Sequence, residues 1–175
     1  DIKAPDCFEV ERLCKEKMKI PVFHDDQHGT AIVVGAAAVN AIELSNRKIE
    51  NTKIVAVGAG ASGIACLEML VKLGAKRENI WLSDSKGLIT KNRSERNEEK
   101  QRFSQDSTLS NLDDVIKDCD MFLGLSGPGV LTSKMVLKMH KQPIIFALAN
   151  PDPEINPADA LKVAPDALIA TGRSD

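Results

Sequence analysis

"KIVAVGAGASGIACLEMLVKLG", residues 53–74, decides the fold. An apolar, β-rich run breaks into glycines at 58, 60 and 63 and resumes at helical spacing until Gly74, a residue suited to end a helix. GxGxxG alone is a weak signal, but between a strand and a helix it has the setting its mechanism needs. Gly58 permits the tight turn, Gly60 lets the backbone approach a pyrophosphate, and Gly63 lets the helix lie close to the strand. Ala61 and Ser62 open that helix, whose free N–H groups and partial positive charge face the phosphates. We therefore expect a dinucleotide site at 58–63.

The chain around this loop alternates between the two periods. "NIWLSD" (79–84), "DMFLGLS" (120–126), "PIIFALANP" (143–151) and "DALIAT" (166–171) read as further strands. "SNLD" (110–113) is a capping box opening a short helix, and "GPGVLTSKMVLKM" (127–139) a loop and helix. The charged stretch 93–106 reads as solvated, with no core of its own. Strands alternating with helices predict a Rossmann-like, doubly wound, mostly parallel sheet covered on both faces. Ahead of it, 5–18 reads as an amphipathic helix, 20–26 as extended, and 30–44 as a helix apolar on all sides and hence buried. The first fifty residues thus form a helical layer packed on a dinucleotide-binding unit spanning 51–175.

The strand ends supply the remaining candidates. Asp84 ends the second strand about 20 residues after the glycines, where an acid accepts bonds from a ribose diol. Its charge favours NAD, whereas the adjacent Ser85 and Lys86 suit the 2′-phosphate of NADP, so the choice stays open. Ser126 and Gly127 lie where a nicotinamide ring would rest on small backbone. Asn150 is placed to bond the carboxamide, its ribose or a substrate carboxylate, although Asn, Pro and Gly at such positions also serve ordinary turns.

The chain has 175 residues, is 43% hydrophobic and 27% charged, and carries a net charge of −2. This suits one globular unit and argues against nucleic acid or an anionic membrane surface as partner. The run from Ala31 to Val39 is too short to span a bilayer. Four cysteines without a CxxC read as reduced thiols of a cytoplasmic protein.

"PVFHDDQHGTAIVVGAAAV" (21–39) places Asp25 and Asp26 before the apolar helix. Three readings stand: an N-cap stabilised by the helix dipole, a hard-cation site for Mg2+ or Mn2+, or zinc held by His24 and His28. Zinc is disfavoured, because no cysteine is near and the histidines flank a turn.

The stretches "DIKAPDCFEVERL", "IPVFHDDQHGTAIV", "VAVGAGASGIACLEML", "WLSDSKGLI", "GLSGPGVLT" and "PIIFALANPDPEI" together resemble the bacterial-type malic enzymes along essentially the whole chain. The resemblance implies oxidation of malate by NAD or NADP and decarboxylation to pyruvate, aided by Mg2+ or Mn2+. It implies Asp1 and Asp26 as metal ligands and Asp25 as a neighbouring acid supporting catalysis. It also implies a homodimer or higher homo-oligomer. The family's catalytic tyrosine has no counterpart, since there is no tyrosine. The glutamate expected before Asp1, an upstream lysine and a later asparagine are likewise absent, so the 175 residues alone are expected not to turn over malate. A malolactic-type domain and a non-catalytic dinucleotide-binding module are the alternatives.

Overall fold

A computed structural model describes residue 2 and residues 6–94 and 97–172. The predicted strand before the glycines is β1 (Ile54–Val57), in which every residue is buried. Around it lie β2 (Ile80–Asp84), β3 (Gly87–Leu88), β4 (Met121–Gly124), β5 (Ile144–Ala147) and β6 (Leu168–Thr171), in the order β3-β2-β1-β4-β5-β6. All pairings are parallel except the short β2–β3 hairpin, which the sequence pattern did not reveal. Ile54 is level with Ile80 and Met121, Met121 with Ile144, and Ile144 with Leu168. The five parallel strands therefore start in one row, and their carboxyl ends open along one edge. β1 leads to β2 on one side while β4 to β6 extend the other way, so the topological switch point lies between β1 and β4, where open α/β sheets take ligands.

Alternation along each strand sends side chains to two cores. Ile54, Ala56, Leu82, Leu123 and Phe146 face α2 (Asp25–Leu44) and α3 (Ala61–Lys72). Val55, Val57, Phe122 and Ile145 face α5 (Leu112–Val115), α6 (Ser133–Val136) and α7 (Pro157–Val163). The first helix, α1 (Asp6–Lys17), rests beside α2, where Glu11 accepts from His28 Nε2 at 2.6 Å.

Three details differ from expectation. α2 starts at Asp25 rather than Thr30, and only one side is buried, with Ala31, Val34, Ala38 and Ile42 inward. Val33 (68% exposed) and Leu44 (67%) face outward, because the sheet and α3 cover one side only. The charged stretch is anchored rather than free: beyond α4 (Glu98–Gln101), Phe103 is 1% exposed and lies under the Arg77 guanidinium at 5.2 Å. The cap of α5 is Asn111, whose side chain accepts from Asp114 N at 2.9 Å, one residue later than the predicted box.

At the amino edge of the sheet, Arg47 Nε bonds Asp120 Oδ1 at 3.1 Å and Arg47 Nη1 bonds the Gln142 carbonyl at 3.0 Å. Asp120 Oδ2 accepts from Lys53 N at 2.8 Å. These bonds tie the end of α2 to the starts of β1, β4 and β5, leaving the opposite edge free to carry loops. No described helix is long and apolar enough to cross a membrane.

Candidate functional site

The glycine loop has the clearances its spacing predicts. Gly58 has φ +109°, and a Cβ there would strike the Leu125 carbonyl. A Cβ on Gly63 would strike the Gly58 carbonyl, so α3 approaches the loop only because position 63 lacks a side chain. Gly60, the N-cap of α3, faces open space, with nothing within 4 Å of where a Cβ would stand. That space belongs to a cleft of about 550 Å³ lined by Gly58, Gly60, Asp84, Ser85, Lys86 and Ser126, among others. The structure thus brings together the predicted residues of the glycine loop, the second strand end and the fourth.

Asp84 is less free than a diol acceptor needs to be. Its Oδ2 takes Arg93 Nη2 and Lys100 Nζ, both at 2.8 Å, and its Oδ1 takes Lys86 N at 2.9 Å. Burial pushes its pKa upward, but these three donors outweigh it and hold the carboxyl well below the usual range. Lys100 also lines the cleft. Sequence reasoning missed Lys100 and Arg93: both sit in the charged stretch, whose anchoring by Phe103 leaves no periodic signal.

A second cavity, of about 630 Å³, lies against α2 and is lined by Asp25, Thr30, Ser62, Leu125, Leu148 and Thr171, among others. Leu125 lines this cavity and Ser126 the first, so the two meet at the end of β4. Ser126 N donates to Glu154 Oε1 at 2.8 Å. Gly127 likewise faces open space, and a Cβ added there would meet nothing within 4 Å. Asn150 is exposed at the end of β5 and lies outside the linings of both cavities.

The double acid opens α2 behind His24, which makes no side-chain cap bond. Asp25 folds back over Gly29 and faces the larger cavity. Asp26 turns the other way, into a cavity of about 290 Å³ shared with Ile2, Glu11 and His24. Its side chain is 82% exposed, with Oδ2 3.8 Å from His24 Nε2. Asp1 lies outside the described residues. His24 Nδ1 contacts Gln27 Nε2, and His28 bonds Glu11, so each imidazole already has a side-chain partner. An open carboxylate at Asp26 is the hard oxygen donor that Mg2+ or Mn2+ takes. Among the described residues, however, no three His, Cys, Asp or Glu side chains converge to hold an ion. One bond joins this segment to the glycine loop: Ser62 Oγ donates to the Asp26 carbonyl at 2.6 Å.

Residues 27–174 match the family model described as "Malic enzyme, NAD binding domain". The whole chain is 56% identical to an NAD-dependent malic enzyme of Rhizobium meliloti, covering 23% of that protein. It is 49% identical to an NADP-dependent malic enzyme of Halomonas elongata, covering 42%. It superposes with a TM-score of 0.91 on the crystal structure of the NAD-dependent malic enzyme of Thermotoga maritima, at 42% identity over the whole chain and 47% of that structure. The chain therefore spans less than half the length of these relatives. With a glycine loop at the switch point of a six-stranded sheet and this similarity along its length, the chain belongs to the malic enzyme family, as its NAD-binding domain.

Proposed function

We propose that the full protein carrying this domain oxidises malate with NAD or NADP and decarboxylates the product to pyruvate, with Mg2+ or Mn2+ bound. In balance, malate loses a hydride from C2 to the dinucleotide and a proton from its C2 hydroxyl; the resulting oxaloacetate then breaks its C3–C4 bond to release CO2, and the enolate left behind takes a proton at C3 to give pyruvate. The observation that carries the proposal is the similarity along the whole chain to NAD- and NADP-dependent malic enzymes; the Ser62–Asp26 hydrogen bond supports it by joining the nucleotide loop to the acidic segment.

Each element has a role in this reading. Gly58, Gly60, Ala61, Ser62 and Gly63 hold the pyrophosphate on the α3 terminus. Ser126 and Gly127 bed the nicotinamide end, and Asn150 bonds its carboxamide or the substrate. Asp84 organises the adenosine end. With both its oxygens engaged and Lys86, Arg93 and Lys100 beside it, a 2′-phosphate finds cations there, which supports acceptance of NADP as well as NAD. Asp26, with Asp1, supplies metal oxygens, and Asp25 faces the substrate cavity as a supporting acid. A bound divalent ion supplies Lewis-acid stabilisation of charge on the substrate oxygen. Residues 1–50 belong to the same proposal as the layer that brings the acids to the 51–175 unit, as do a cytoplasmic location and homo-oligomeric assembly.

Steady-state kinetics of the full-length protein, with malate, Mn2+ and NAD+ or NADP+ in parallel, test this reading. Malate-dependent formation of NADH or NADPH with equimolar pyruvate is expected. Absence of both, or release of lactate without net reduction of either dinucleotide, overturns it.

A further inference from the structure

We infer that Glu154 is a positioning residue of the dinucleotide cleft, whose buried carboxylate sets the loops at the ends of β1, β4 and β5, and Gly172 after β6, relative to one another. The inference rests on the cofactor reading above and concerns a residue to which that reading gives no role.

Glu154 is 0% exposed, yet no cation pairs with it among the described residues; its bonds are to two loops. Oε1 accepts from Ser126 N at 2.8 Å and Ser126 Oγ at 3.3 Å, and Oε2 accepts from Ala149 N at 3.1 Å. A carboxylate this deep is tolerable only when such donors satisfy it. The donors come from the loops after β4 and β5, whose last residues Gly124 and Ala147 are partners in register. The Glu154 carbonyl also accepts from Leu131 N at 3.1 Å, so one residue holds the β4 loop at both ends.

The consequence passes through two peptide planes. In a trans peptide the C=O points opposite to the N–H. Drawing Ser126 N–H toward Glu154 therefore aims the Leu125 carbonyl away from it, and that carbonyl is the one Gly58 abuts. Drawing in Ala149 N–H does the same for the Leu148 carbonyl, which lies 2.7 Å from where a Cβ on Gly172 would be. The glycine loop after β1 and Gly172 after β6 thus rest on planes that Glu154 orients. Gly124 makes room for the arrangement, because a Cβ there would stand 2.6 Å from both carboxylate oxygens.

The test uses the full-length protein with Glu154→Gln, which keeps the size but turns one acceptor into a donor facing an N–H. A second variant, Gly124→Ala, displaces the carboxylate without altering a residue given a ligand. Adenosine, which has no phosphate for the glycine loop, reports the adenosine end beside Asp84, and NAD(P)+ reports the whole cleft. Positioning predicts adenosine affinity within about twofold of wild type, NAD(P)+ affinity weaker by about tenfold, and a fall in kcat at saturation of similar size. Equal losses for adenosine and NAD(P)+ accompanied by a lower Tm, or unchanged affinity and kcat, overturn the inference. If neither variant folds, hydrogen exchange of the unliganded wild type decides. Slow exchange at Ser126 and Ala149 amides supports the clamp, and exchange at free-loop rates overturns it. A wild type that binds no NAD(P)+ refutes the cofactor reading instead, and the exchange measurement still reads the clamp.

Discussion

Replacing Asp84 by Asn is expected to shift the protein toward NADP. The carboxylate pairs with both Arg93 and Lys100, each at 2.8 Å and only 17% and 21% exposed, and is itself 12% exposed. An Asn side chain can still accept from Lys86 N but no longer holds two cations by charge. A hydrogen bond to a charged group contributes about 1.5–3 kcal/mol. Redirecting one of these donors to a 2′-phosphate therefore raises NADPH affinity relative to NADH by about 10- to 100-fold. The same change costs stability on the order of 1–3 kcal/mol, below the range for fully buried pairs because the cations keep some water. It also changes the acid limb. Because the folded-state pKa of Asp84 is depressed, its stabilisation is complete above about pH 4 and is lost as pH falls toward the depressed value. The Asn variant lacks that component, so its stability falls less steeply below pH 4 than that of wild type. Titration of full-length protein with NADPH and NADH, followed by nicotinamide fluorescence, measures the preference. A ratio unchanged within twofold, or one moved toward NADH, refutes the reasoning.

Gly63→Ala places a methyl group on the Gly58 carbonyl, forcing α3 outward; an overpacking cost of about 1–3 kcal/mol predicts a loss of roughly 5- to 100-fold in dinucleotide affinity by calorimetry. Phe103→Ala empties a site 1% exposed, and denaturant unfolding should show a loss of about 3–5 kcal/mol. Arg47→Ala leaves Asp120 and the Gln142 carbonyl short of a donor, and the same assay should show a loss of about 2–3 kcal/mol. Asp26→Ala in the full-length protein should weaken Mn2+ binding at least about tenfold; unchanged affinity assigns the acid to the helix start alone.

The sheet was legible because its signals are local. Ile54–Val57 and Met121–Gly124 are uninterrupted apolar runs, and Gly58 to Gly63 carry their constraint in their own spacing. The helix α2 was legible in type but not in face, since an apolar sequence cannot say which side a neighbour will cover. What escaped depends on distant residues. Phe103 gave no pattern within a charged stretch, and Asp84's partners Arg93 and Lys100 lie 9 and 16 residues away. Glu154 drew no reading of its own because its partner Ser126 is 28 residues earlier. The double acid was visible, but its splitting between two cavities follows from α2 beginning at Asp25, five residues earlier than its apolar pattern.

The strand order also governs how the chain comes together during synthesis. β1 finds β2 soon after it is made, yet its other side waits for β4, because Ile54 pairs with Met121. Throughout that interval a fully apolar strand keeps one edge unpaired, the situation that favours association between nascent chains. The Arg47–Asp120 contact closes over the same interval, joining the end of α2 to the start of β4 as that strand arrives. Loss of Arg47 should therefore lower the yield of soluble protein more than its effect on the finished fold implies, because it weakens the step that retires an exposed strand edge.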